Sequence, residues 1–233
     1  MTTYQLRPHP PVDWLEQLGK HTADLLITSL VQPGRCRPLM KVRHHNPASR
    51  INPWYELCPE QGIAGVFEPL YRVLKPQSQG FVLCEQSQMA ALLPMAQAAG
   101  FRIGPARIWQ RTGRQSQLYF LLHLCKGRPV PRWQEQAQIL SHPSEPGRIL
   151  PHALLETLLL QASDEGDLVI DPFMPDHAVA HSALSLGRRF AGAHPDNDHL
   201  DTLRAKLNEL PSTELMRPVP PLPVVEPGQM ALL

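Results

Sequence analysis

Long apolar runs, net charge and paired cysteines are all scarce in this chain of 233 residues. No uninterrupted apolar stretch approaches the ~18 residues of a membrane-spanning helix, so no membrane span is expected. The N-terminal MTTYQLRPHPP has no apolar signal core, which points to a cytoplasmic protein. The formal charge is +1, so overall charge announces no nucleic-acid partner, and any such contact has to come from local clustering. Cys36, Cys58, Cys84 and Cys125 are far apart and form no CxxC pair. That spacing argues against a zinc knuckle and for reduced thiols. No internal repeat is visible.

What is present fits a globular chain with one sizeable core: 42% of residues are hydrophobic and 18% charged. Prolines, 26 in all, gather toward the end. Short apolar runs at Leu25-Leu26-Ile27, Phe81-Val82-Leu83-Cys84 and Leu168-Val169-Ile170 read as strands buried on both faces. Between them, apolar residues recur at helical spacing from about Trp54 to Leu74, stopped by Lys75-Pro76. Further helices are expected from about Ser87 to Ala99, from His152 to Ala162, after the strand end at Asp171-Pro172 to about Leu186, and from Asn197 to Leu210. Phe101 to Trp109 and Leu118 to Leu124 read as a hairpin turning at Thr112-Gly113-Arg114, and a short strand is expected near Phe190. Residues 126–149 read as a loop. Strands alternating with helices predict an α/β fold with a mostly parallel sheet covered on both faces. Residues 1–210 would form the domain, and 211–233 a Pro-rich extended tail.

Six segments, in order, carry a resemblance: Asp24-Leu25-Leu26-Ile27-Thr28, Arg72-Val73-Leu74-Lys75-Pro76, Gly100-Phe101 with Ile108-Trp109, His142-Pro143-Ser144, Gly166 to Phe173, and Ala183 to Gly192. Together they resemble the DNA amino-methyltransferases, which act on adenine N6 or cytosine N4, in the permuted order with the catalytic strand first. The resemblance implies a Rossmann-like S-adenosylmethionine-dependent methyltransferase fold with a seven-stranded sheet. It also assigns site positions: Asp171 and Phe173 in the cofactor turn, His194 where an acidic residue accepts from the ribose, Asp13 near the adenine, and Ser29 in the catalytic turn.

At those positions the residues depart from the family pattern. The family's DPFxGxGTT turn reads Asp171-Pro172-Phe173-Met174-Pro175-Asp176-His177-Ala178-Val179. Pro175 has no amide hydrogen, His177 adds a ring where a glycine leaves space, and Asp176 adds negative charge beside a ligand carboxylate. A neutral His194 can accept one ribose hydrogen bond but not two, with Asp196 as a conceivable substitute. In the catalytic turn Ser29 suits the serine variant or a plain strand end, whereas Leu30, Val31 and Gln32 supply neither the prolines nor the stacking ring. Asp13 equally suits a helix N-cap.

Other residues could carry function. Arg35, Arg37, Lys41, Arg43 and Arg50, with His44 and His45, form a basic stretch without acids that could meet DNA phosphates or be an ordinary solvated loop. Trp54 and Tyr55 could stack on a base or anchor a helix. His177 and His181 share a helix face, but histidines so placed rarely ligate and no metal is expected. Gln229, Met230, Leu232 and Leu233 resemble a bacterial sliding-clamp-binding peptide on a flexible spacer, or are a frayed apolar end. The reading that follows is a catalytically silent methyltransferase-like protein, without a cofactor, that binds DNA or modifies a partner methyltransferase. The alternatives are an active S-adenosylmethionine-dependent enzyme with divergent motifs, and a scaffold working through its tail.

Overall fold

A computed structural model describes residues 4–30, 63, 65–105, 107–112, 117–130, 138–143, 145 and 149–209. In chain order these form β1 (Tyr4–Arg7), α1 (Pro11–Gln17), β2 (Ala23–Ser29), α2 (Phe67–Val73), β3 (Leu74–Cys84), α3 (Gln86–Ala98), β4 (Arg102–Ile103), β5 (Arg107–Thr112), β6 (Gln117–Cys125), β7 (Ile139–Pro143), α4 (His152–Ala162), β8 (Leu168–Asp171), α5 (Ala178–Ser185), β9 (Arg189–Ala193) and α6 (Asn197–Asn208).

The strands build one sheet in the order β1-β9-β8-β2-β3-β6-β5-β7, with β4 also on β6. From β1 to β3 every pairing is parallel. β6 then runs antiparallel to both β3 and β5, and β7 is parallel to β5. The expected α/β architecture is present, but among the described residues the sheet has nine strands rather than seven and is mixed toward one edge. Two of the differences lie where the apolar signal is shortest. Tyr4–Arg7 adds β1 beside β9, and Ile139–Pro143 makes β7 inside the segment expected to be a loop.

The expected strand from Phe101 to Trp109 is broken at Gly104-Pro105. Proline has no N–H for the ladder. Gly104 lies so close to His123 that a Cβ there would stand 2.2 Å from His123 Nδ1. β3 in turn begins earlier than its apolar run. Its register against β2 shifts between Ala23 and Leu25, and Gln77 takes φ 62°, so Pro76 is accommodated in an irregularity.

The helices divide between two cores. On one face of the sheet α4, α5 and α6 bury Leu154, Leu158, Val179, Leu200 and Leu203 against Leu25, Ile27, Phe81 and Val169. On the other, α1, α2 and α3 bury Trp14, Leu15, Leu70, Val73 and Leu92 against Leu26, Val82 and Ile170. Alternate residues of β2 and β8 therefore serve opposite cores, which is why their sequence is continuously apolar. The connections leave β2 and β8 toward opposite edges of the sheet, so the boundary between these strands is a switch point. In open α/β sheets ligands bind outside the carboxyl ends of the strands at such a point.

Candidate functional site

Asp171 ends β8 at that switch point and is 1% exposed. Its Oδ1 accepts three hydrogen bonds: from Thr28 Oγ1 at 2.6 Å, Phe173 N at 3.1 Å and Met174 N at 3.0 Å. Thr28 belongs to β2, so the carboxyl joins the two strands whose ends frame the crevice. Oδ2 is buried and has no partner among the described residues. Desolvation pushes the Asp171 carboxyl up to about 7, helped by the charge of Asp176 and opposed by the three hydrogen bonds.

The turn beyond Asp171 folds back over the sheet. Met174 adopts φ 35°, a left-handed conformation that costs a side-chain-bearing residue roughly 1 kcal/mol or more. Its side chain is fully buried, and a Cβ on Gly192 of β9 would lie 2.2 Å from its Sδ. Met174 thus occupies the space that Gly192 leaves open beside the carboxyl end of β8. Its carbonyl accepts from His199 Nε2 of α6 at 3.1 Å.

His194 follows β9 and is fully buried. Its ring lies 4.2 Å from that of His199, tilted by 41°. Nδ1 accepts from Asp196 N at 3.1 Å, so the other nitrogen carries the proton of the neutral ring. That Nε2 is buried without a partner among the described residues. Burial first, then the neighbouring His199, pushes the imidazole down to about 4. Asp196 is engaged elsewhere: its Oδ1 caps α6, accepting from Asp198 N at 2.9 Å and His199 N at 3.2 Å.

Asp176 also makes local bonds. Oδ1 accepts from Ala178 N, in the first turn of α5, at 2.7 Å, and Oδ2 accepts from Ile149 N at 2.5 Å. The helix thus has a carboxylate on its positive end, and the segment before α4 is tied to the turn.

Of the expected site residues, the structure brings Asp171, Phe173 and His194 to the ends of β8 and β9, with Phe173 3% exposed. Ser29 ends β2 next to them, 1% exposed and paired in register with Leu83. Asp13 is exposed in the first turn of α1 rather than at its N-cap, which is Pro10. The rings of His177 and His181 stand edge-on at 6.2 Å, and among the described residues no group of three potential ligands is placed to hold a metal. Arg35, Arg37, Lys41, Arg43, Arg50, His44, His45, Val31, Gln32, Trp54 and Tyr55 lie outside the described residues. So do Ser144, Gly113, Arg114 and the tail with Gln229, Met230, Leu232 and Leu233. Sequence reasoning missed Met174, His199 and Thr28. A methionine in a turn carries no chemical signal, and Thr28 becomes meaningful only once β2 is seen to adjoin β8. No helix among the described residues is long and apolar enough to cross a membrane.

The sequence of residues 129–204 matches the family model for DNA methylase. Over 57 residues the chain is 37% identical to the type II methyltransferase M2.DpnII of Streptococcus pneumoniae; the match spans 24% of this chain and 21% of that enzyme's length. Among solved structures it is similar to a protein of Thermus thermophilus described as a DNA modification methylase, complexed with S-adenosyl-L-methionine. That pair has a TM-score of 0.67 and 18% identity, covering 91% of this chain and 95% of that one. M1.HpyAVI in its complex with S-adenosylmethionine gives 0.64 and 17%, over 88% and 100% of the two chains. The cytosine-N4-specific PvuII DNA methyltransferase gives 0.68 and 12%, over 92% of each. At these identities the structural likeness establishes the fold, while the 129–204 match concerns sequence. The chain has the Rossmann-like fold of the S-adenosylmethionine-dependent DNA methyltransferases, and its residues 129–204 match the DNA methylase family model.

Proposed function

We propose that this protein is a catalytically silent DNA methyltransferase relative that acts by binding DNA or a partner rather than by transferring methyl groups. The observation that carries the reading is Met174, whose buried side chain fills the space over Gly192 at the ends of β8 and β9. The other residues of the crevice agree with it. A methyl donor of this type needs free amides for its amino-acid end and an acceptor for two ribose hydroxyls. Here the amides of Phe173 and Met174 are already given to Asp171, and Pro172 and Pro175 have none. His194 offers one neutral ring in a buried position, and Asp196 is committed to α6. The residues present do not fit S-adenosylmethionine, so no catalytic step is derived through it.

Calorimetry with S-adenosylmethionine tests this directly. The expected result is no heat of binding at micromolar donor and no methyl group on DNA incubated with the pure protein. Micromolar binding, or methylated DNA, refutes the reading and favours the divergent enzyme.

DNA is the ligand we assign to the basic stretch of Arg35, Arg37, Lys41, Arg43 and Arg50. Support comes from its acid-free charge and its position after the strand that leads to the family's catalytic turn. A mobility shift that weakens with salt and is lost when Arg35, Arg37, Lys41 and Arg43 become alanine is expected. A shift unchanged in that variant would remove these residues from the interface. For the tail, the proposed partner is a sliding clamp held by Gln229, Met230, Leu232 and Leu233. Clamp binding that survives deletion of the last five residues would dispose of that assignment.

A further inference from the structure

We propose that Asp176 is the residue that shuts the crevice to carboxylate-bearing ligands, by placing its own carboxylate on the amides such a ligand would use. The inference rests on the reading of the crevice given above and names the group that enforces it at the amino-acid end.

Two donors from separate parts of the chain converge on one side chain. Ala178 N lies in the first turn of α5, where the helix end favours negative charge, and Ile149 N comes from the segment before α4. Each bonds a different oxygen, at 2.7 and 2.5 Å, so the carboxylate is held as a bound anion would be. Asp176 lies two residues beyond Met174, in the same turn. Its charge also reaches the buried Asp171 carboxyl and helps to raise it. A second carboxylate brought to this turn would find its donors taken and two acidic groups beside it. Asp176 therefore acts as an internal occupant, and its removal should leave a seat sized for a small carboxylate.

The test uses the full chain, labelled with nitrogen-15, in wild-type form and as Asp176→Ala and Asp176→Ser. Serine can still accept from Ala178 N through its hydroxyl but is too short to reach Ile149, so it keeps the measurement alive if the alanine variant folds poorly. Sodium formate is titrated against sodium chloride at equal ionic strength. In Asp176→Ala the unfolding midpoint should fall by about 2–4 °C, the effect of losing the two hydrogen bonds to Ala178 N and Ile149 N in a domain of this size. Formate, but not chloride, should restore it saturably. In both variants the amide signals of Ile149 and Ala178 should move with formate, while in the wild type they should not. Formate that acts no differently from chloride, or that shifts the same amides equally in the wild type, overturns the proposal. S-adenosylmethionine bound by the unaltered protein would instead overturn the reading of the crevice on which it rests, so the two failures are separable.

Discussion

Replacing Asp171 with asparagine should change how stability responds to pH. The carboxyl ordinarily titrates near 3.8, and in the fold it is pushed up to about 7, chiefly by burial. The folded state therefore holds this proton more tightly than the unfolded chain does. The stability it contributes is complete below the unfolded value and is lost as pH rises through the folded one. A rise of about three units corresponds to a loss on the order of 4 kcal/mol across that range, at ~1.36 kcal/mol per unit. His194 and His123, both pushed down to about 4 by burial, act in the opposite sense. They stay neutral in the fold, so their contribution is present above roughly pH 6.5 and disappears as pH falls toward 4. The wild-type curve is a partial cancellation and decides nothing alone; its difference from the variant isolates Asp171. Asparagine can keep the Oδ1 acceptor for Thr28, Phe173 and Met174. Its amide nitrogen then sits where Oδ2 has no described partner, at a cost of about 1–3 kcal/mol. Urea unfolding at about pH 5 and about pH 8.5 should show the variant weaker at the lower pH and gaining about 2–3 kcal/mol on the wild type at the higher. A difference that is the same at both values would refute the reasoning.

Three other expectations follow from packing. Gly104→Ala sets a methyl 2.2 Å from His123 Nδ1 and should lower stability by about 1–3 kcal/mol, measured by denaturant unfolding. Arg72→Met keeps the apolar stem but removes the donors to Leu18 O at 2.6 Å and Leu15 O at 2.7 Å. A loss of about 1–3 kcal/mol is expected, and an unchanged denaturation midpoint would deny the guanidinium its role in holding α1 to α2. In a Cys36→Ser, Cys58→Ser background, a thiol reagent should modify Cys84 and Cys125 only as fast as the protein unfolds. Both are buried, and burial raises both thiols, Cys84 to about 12.

The sheet was legible in the sequence where strands are buried on both faces, because Leu25-Leu26-Ile27 and Leu168-Val169-Ile170 need no partner to be recognised. β1 and β7 were not, because edge strands with one covered face carry few apolar residues: Leu6 is the buried residue of β1 and Leu140 that of β7. The hairpin of β5 and β6 was legible, but its split at Gly104 depends on His123, a contact between residues distant in sequence. At the crevice, the odd residues Pro175, Asp176, His177 and His194 could be read from the motif they interrupt. What they do could not. Asp176 was expected only to repel a ligand, and it also accepts from the Ala178 amide at the start of α5 and holds Ile149. Met174 looked neutral in the motif, and its effect comes from backbone sign and from the bare face of Gly192.

The seam between β2 and β8 also matters while the chain is being made. Thr28 meets Asp171 across 143 positions, and Asp24 accepts from Leu168 N across 144. Until the ribosome has delivered those later residues, β2 has β3 on one side and a bare, largely apolar rim on the other. An open strand rim of that kind pairs readily with other chains. Ordered synthesis thus leaves the central seam of this molecule open until most of the chain has been made, and a nascent-chain binder that covers β2 would raise the yield of native protein.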